Sequence, residues 1–242
     1  MANPISHTWN TYKSNMSFVL LSALAFAIAF IVPVFASLPT YNDMGGIFLR
    51  TSSIYLNLNT FNSAVIIIAF LFSLLFISFA MVVINVIVKH SRTRTKIKQE
   101  VVKALERSTG RVFIIFLIYS LLIFCAGMVG YSIGHSAILA AVVSIVLVPL
   151  VFYAPSSVVI DEKGIVRSMH NSATFFFKRL DYFAIWMVLA LVALTVLDFV
   201  LVHVAGTNIS RYAMLAISSV FLLPFLMLLQ GEFYISRFRL LK

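Results

Sequence analysis

Residues 64–88 read AVIIIAFLFSLLFISFAMVVINVIV, an apolar run without a single charge, followed at once by Lys89. A hydrocarbon core about 30 Å thick needs about 20 apolar residues in a helix rising about 1.5 Å each, so this run is long enough to cross a membrane. It is too long and too evenly apolar for a barrel strand, which alternates in polarity over about ten residues. Working outward, comparable runs occupy residues 17–38, 112–133, 136–154, 182–205 and 212–235. The sequence therefore predicts an all-α, polytopic bundle of six transmembrane helices, a single transmembrane domain over residues 1–242. The run at 17–38 follows Lys13 and contains Val34-Phe35-Ala36, the outline of a cleavable signal peptide, but its length reads as a span.

Composition points the same way. The chain is 62% hydrophobic and 11% charged, against about 25% charged in soluble domains, so water is not its main solvent. The net charge of +10 is unevenly placed: 16 of the 18 basic residues fall between spans two and three, between spans four and five, after span six or before span one. Arg50 and Arg211 alone belong to the opposite face. The positive-inside rule then puts both termini in the cytoplasm, as an even number of spans in a cell membrane requires. Topology and anionic headgroups account for this basic face, and no nucleic-acid partner is expected. The lone Cys125 can form no intramolecular disulfide.

Ahead of spans one, three and five the sequence predicts short amphipathic helices on the cytoplasmic surface. Their apolar stripes are Ile5, Trp9, Tyr12 and Met16; then Ile97, Val101, Leu105 and Ser108; then Ile165, Met169, Ala173 and Phe176. Asp161-Glu162-Lys163-Gly164 reads as the turn feeding the third. Three units of interfacial helix plus hairpin follow, over residues 1–88, 89–155 and 156–242. Lys96, Lys98, Lys103, Arg107, Arg167, Lys178 and Arg179 are the expected contacts for lipid headgroups or a partner.

Inside the spans, Gly130, Gly134, Ala137 and Ala141 are small residues that let helices three and four approach closely, or that support a homo-oligomer. Pro33, Pro149 and Pro224 each remove a backbone hydrogen bond and kink their helices. Asp198 is a costly charge at membrane depth. It reads either as a proton or cation site or as a polar anchor bonded to Ser218 and Ser219, with Arg211 as counter-ion. Glu232 sits near the inner end of span six, where Arg237 or the basic interface can neutralise it.

His135 and His203 raise haem ligation, but no Cys, Asp or Glu cluster surrounds them, and neither a cofactor nor a metal is expected. The sequence contains no Gly-rich phosphate loop, no H-E-x-x-H and no G-x-S-x-G turn, which argues against an enzyme. Convergent polar groups near Asn85, Tyr119 and Glu232 would instead mark a lipid-modifying enzyme.

The stretch from Ala154 to Met169, continuing through Ser172 to Lys178, places a small residue and Pro155 at the end of a span. An apolar run, an acidic-Gly turn and an amphipathic helix entering the next span then follow. This pattern resembles the prokaryotic membrane-domain family associated with glycerophosphoryl diester phosphodiesterases and related uncharacterised archaeal proteins, most clearly over residues 147–191. The resemblance implies a six-helix membrane domain that stands alone or beside a partner. The soluble phosphodiesterase barrel is absent from the sequence, so no catalytic residue carries over. The expectation is a non-enzymatic scaffold or accessory subunit acting on membrane lipids and a membrane-protein partner, with a small transporter or channel using Asp198 as the alternative.

Overall fold

The computed structural model describes residues 4–35, 40–43, 46–49, 60–93 and 97–236. Within these, the side chains of Lys98, Ala137 and Arg211 and of a few neighbours lie outside the description, as does the whole of Lys96. The helices are α1 (Pro4–Ser14), α2 (Met16–Phe35), α3 (Thr60–Thr93), α4 (Ile97–Ser132), α5 (Ser136–Val151), α6 (Ala154–Ile160), α7 (Ile165–Lys178), α8 (Leu180–Ile217) and α9 (Leu223–Ile235). A π-helical turn, Ser218–Leu222, precedes α9. A small antiparallel hairpin, β1 (Thr40–Asp43) with β2 (Gly46–Leu49), lies between α2 and α3.

Five stretches are long and apolar enough to cross a membrane: residues 64–91, 99–132, 138–160, 180–204 and 212–235. A sixth counts only if α1 and the apolar part of α2, bent by 92° at Asn15, are taken as one. The chain is thus a helical, membrane-embedded protein.

The core lies toward the basic end. Along α3, the side chains from Ala80 to Val88 are at most 5% exposed, covered by α2, α4, α6 and α9. Toward the other end the helices show large apolar surfaces, Ile67 and Ile68 on α3 and Ile145 and Val146 on α5 among them. Such surfaces suit lipid, which is as apolar as the side chains it touches.

One expectation changes here. The amphipathic helix ahead of span three is not separate: α4 runs unbroken for 36 residues, about 54 Å. Gly110 is tolerated within it, and Val101, Ser108, Val112 and Ile115 continue one buried stripe against α3. Helix α1 is a separate short helix. Its buried residues are Thr8, Thr11 and Tyr12, while Ile5, Trp9 and Met16 are exposed. The helix thus turns a polar face to the protein and most of its apolar stripe outward.

Helix α2 runs on past Pro33 to Phe35, whereas irregularities lie near Pro149 and Pro224, and the structure shows what repairs each. Pro149 sits in the last turn of α5, and the helix opens at Phe152 and Tyr153 before α6 resumes. Ser172 of α7 inserts its hydroxyl there, accepting from the Tyr153 amide at 2.9 Å and donating to the Pro149 carbonyl at 2.7 Å. The side-chain amide of Gln230 caps the neighbouring Phe152 carbonyl. Pro224 has no amide to offer the Val220 carbonyl, and that carbonyl accepts instead from the Tyr12 hydroxyl at 3.5 Å. A π turn beside the proline absorbs the remaining mismatch.

Gly134 serves a turn. Its φ is +76°, the His135 amide donates to Gly130 and the Gly134 amide to Tyr131, together a Schellman motif closing α4. The side chain it lacks would meet nothing within 4 Å.

At the break, Tyr153 is fully buried among Phe152, Phe175 and Tyr234, with Phe175 edge-on at 4.7 Å. Its hydroxyl makes no hydrogen bond among the described residues. Tyr153→Phe is therefore expected to leave the melting temperature unchanged or raise it, since it removes an unpaired buried hydroxyl and keeps the ring. Tyr153→Ala should lose about 3–5 kcal/mol, measured by thermal unfolding in detergent. A loss from Tyr153→Phe as large as that from Tyr153→Ala would mean the hydroxyl is bonded.

Candidate functional site

The polar groups of this chain gather at the basic end of the bundle. Glu232, in the last turn of α9, is 1% exposed. A buried carboxylate is costly unless paired, and here α1 and α3 supply partners. His7 places Nδ1 at 3.1 Å from Oε1, and Ser91 shares its hydroxyl between that oxygen at 3.3 Å and the Val88 carbonyl at 2.8 Å. The histidine partner was not legible: His7 and Glu232 stand at opposite ends of the sequence, and the packing of α1 on α9 unites them. Arg237, the expected neutralising group, lies outside the described residues.

Above this pair opens a groove of about 550 Å³ between α1 and the end of α3, lined by His7, Asn10, Thr11, Ser14, Asn15, His90 and Ser91. His90 keeps its Nδ1 buried and without a hydrogen bond among the described residues. Asn85, one turn and a half back along α3, donates to the Met81 carbonyl at 2.8 Å, and its Oδ1 is likewise unpaired there. Tyr119, the third residue of that expected inner-leaflet group, stands elsewhere and bonds Ser144 at 2.8 Å across α4 and α5.

A second cluster ties the loop before α7 to α3 and α4. Glu162 accepts from Lys89 at 2.9 Å and from Arg107, and Lys89 also lies 3.7 Å from Glu100. The Lys89 hydrogen bond and charge, with help from Arg107, hold the Glu162 carboxyl below its usual value. Next to it, Asp161 accepts from Tyr234 at 2.7 Å, and Ser157 links Asp161 to Asn171. Glu162 adopts φ +55°, a left-handed conformation that costs a non-glycine residue about 1–2 kcal/mol.

A carboxylate with a lowered folded pKa stabilises the fold above its unfolded value, about 4.3 for Glu, and loses that contribution as pH falls through the folded value. Glu162 is 47% exposed, so solvent screens the network. Glu162→Gln is expected to cost less than about 1 kcal/mol and to remove this acid-side loss, read as melting temperature against pH. An unchanged pH profile in the variant would exclude the assignment.

The other residues singled out in the sequence are dispersed. Asp198 is half-buried on α8 and makes no hydrogen bond or ion pair among the described residues. It stands six residues, about 9 Å, from the end of its span at Val204. Ser218 and Ser219 donate into their own helix, to Leu215 and Ala216, and do not meet it.

Lys103, Arg167 and Lys178 are exposed, as the basic face requires. Arg107 is in the Glu162 network, and Arg179 makes two bonds to Asp181, at 3.1 and 3.0 Å, while stacking on Tyr182 at 3.6 Å. Gly130 is buried, whereas Gly134 and Ala141 are exposed. No group of three or more metal-ligating side chains occurs among the described residues.

No family model, curated protein or solved structure matches this chain.

Proposed function

We propose that this protein is a non-enzymatic membrane scaffold or accessory subunit of six spans, both termini cytoplasmic, that works through lipid and a membrane-protein partner. The observation that carries the reading is the span at residues 180–204. Only 6% of its most apolar 18 residues are buried, against 39% for the spans at 64–91 and 212–235. Trp186 anchors it to the Leu226 carbonyl at 2.7 Å and Tyr182 stacks on Phe233, while Val188, Val192, Val196 and Val200 stay exposed. A helix held at one end, with a valine-rich face left open, suits packing against another membrane helix.

The 16 basic residues assigned to one face support a cytoplasmic surface facing anionic lipid. Two short helices, α1 and α7, each preceding a hairpin, and the resemblance to the phosphodiesterase-associated membrane domains fit a module that works beside another protein.

The test is photo-crosslinking in native membranes from a reactive residue at Val196, with Ile145 on α5 as a second exposed position. The reading expects a discrete polypeptide adduct from Val196. Lipid adducts alone from both positions would overturn it.

The transporter alternative draws on Asp198 lacking a partner among the described residues. It requires Asp198→Asn to abolish an ion or proton flux in proteoliposomes. Equal flux from both proteins would remove its basis.

A further inference from the structure

We infer that Asp198 is the docking point for a transmembrane helix of another protein, one that carries a lysine or arginine at the same depth. The inference deepens the accessory reading and rests on it, naming the chemistry of the helix that the open face of α8 receives.

Asp198 stands about 9 Å inside the end of its span at Val204. A carboxyl group at that depth is costly unless a donor or a cation meets it. Among the described residues none does. Ser218 and Ser219, which the sequence places at a similar depth, donate into their own helix and leave the carboxyl unmet.

The half-buried Asp198 side chain ends an uncovered strip of α8. Met187, Leu191, Thr195 and Asp198 recur at intervals of four, four and three, the spacing of neighbours on one helix face. Met187 and Leu191 are 43% and 41% exposed, Thr195 is exposed as well, and the open Val188 and Val192 border them. The carboxyl is thus offered at one end of a face that a neighbouring helix can cover, and is not sealed inside the bundle.

Charge complementarity sets the partner. A cation is the strongest match for a carboxylate in an apolar surrounding, and none of the six apolar runs of this chain contains Lys or Arg. A second copy therefore brings no span with a matching charge, and the occupant is a different protein. Arg211, at the margin of the last run, has its side chain outside the described residues, and the experiment separates it from a partner.

The test places a photo-reactive residue at Leu191 of the full chain, in liposomes with synthetic helices of about 20 leucines. Each helix carries lysine, glutamate or leucine about 9 Å from one end. The lysine helix should be captured about tenfold more than the leucine helix, and the glutamate helix no more than the leucine one. Asp198→Leu should erase the lysine preference. In detergent the same variant should melt at or above the temperature of the parent, because it loses an unmet carboxyl. Equal capture of the lysine and leucine helices, or a preference that survives Asp198→Leu, would overturn the docking point. So would a fall in melting temperature, the mark of a carboxylate already paired within its own chain, as by Arg211.

In native membranes the adduct from Val196 keeps this inference and the accessory role apart. An adduct formed equally by Asp198→Leu would overturn the pairing and leave the accessory role standing. No adduct from a chain that still selects the lysine helix would remove the accessory role and uphold the docking chemistry.

Discussion

Gly231→Leu is expected to destabilise the protein by about 3 kcal/mol, the upper range for overpacking a filled interior. Even a single Cβ at this position would stand 2.9 Å from Val88 Cγ2 and 3.3 Å from Asn85 Oδ1. Val88 is fully buried and β-branched, so it has few rotamers into which to retreat. Gly231→Ala sets the same clash against a gain in helix propensity of about 1 kcal/mol and should therefore fall near neutral or mildly destabilising. Adding Val88→Ala should recover most of the Gly231→Ala loss, a coupling that a double-mutant cycle of melting temperatures in detergent measures directly. A Gly231→Leu protein as stable as the parent would show that α9 does not approach α3 this closely.

Ser172→Ala should cost about 2–4 kcal/mol. The substitution removes one hydroxyl and leaves two buried backbone groups unpaired, the Tyr153 amide and the Pro149 carbonyl, each worth about 1–3 kcal/mol. Ser168 is the internal control. It lies one turn earlier on α7, is also fully buried, and its hydroxyl has no partner among the described residues. Ser168→Ala should be neutral or stabilising. Equal losses from the two alanine variants, measured by thermal unfolding, would show that the Ser172 hydroxyl does not bridge the helix break.

These two sites also show what the sequence can and cannot disclose. That a break would lie near Pro149 was legible, although the missing Pro149 amide orphans the Ile145 carbonyl and the helix opens one turn later, between the Pro149 carbonyl and the Tyr153 amide. That Ser172 would repair it was not, because the residue that fills a broken ladder is set by the neighbouring helix. The stripe through Val101 and Ser108 was read as that of a separate surface helix, and its continuation through Val112 and Ile115 into the span was missed. Nothing in the segment from Ile97 to Ser132 breaks the helix, and the change from charged to apolar composition at Arg111 mimics a boundary.

Which neighbours the first helix would meet was not legible either. In water, an apolar stripe points to the protein interior, but beside lipid it can point either way, since lipid and core are equally apolar. Ile5, Trp9 and Met16 accordingly face outward while Thr8 and Thr11 are buried. The same ambiguity hid the groove, whose polar lining reads in sequence as an ordinary solvated face.

The union of α1 with α9 imposes an order on biogenesis. Helix α1 is synthesised long before the segment that completes it: His7 waits for Glu232, Tyr12 for Val220, and Trp9 for Phe225. At about 5–20 residues per second, roughly ten to forty seconds separate their synthesis. Throughout that interval the amino-terminal helix can rest on the bilayer by its exposed apolar stripe, its threonine face still hydrated. A nascent chain that stalls before α9 therefore keeps α1 undocked.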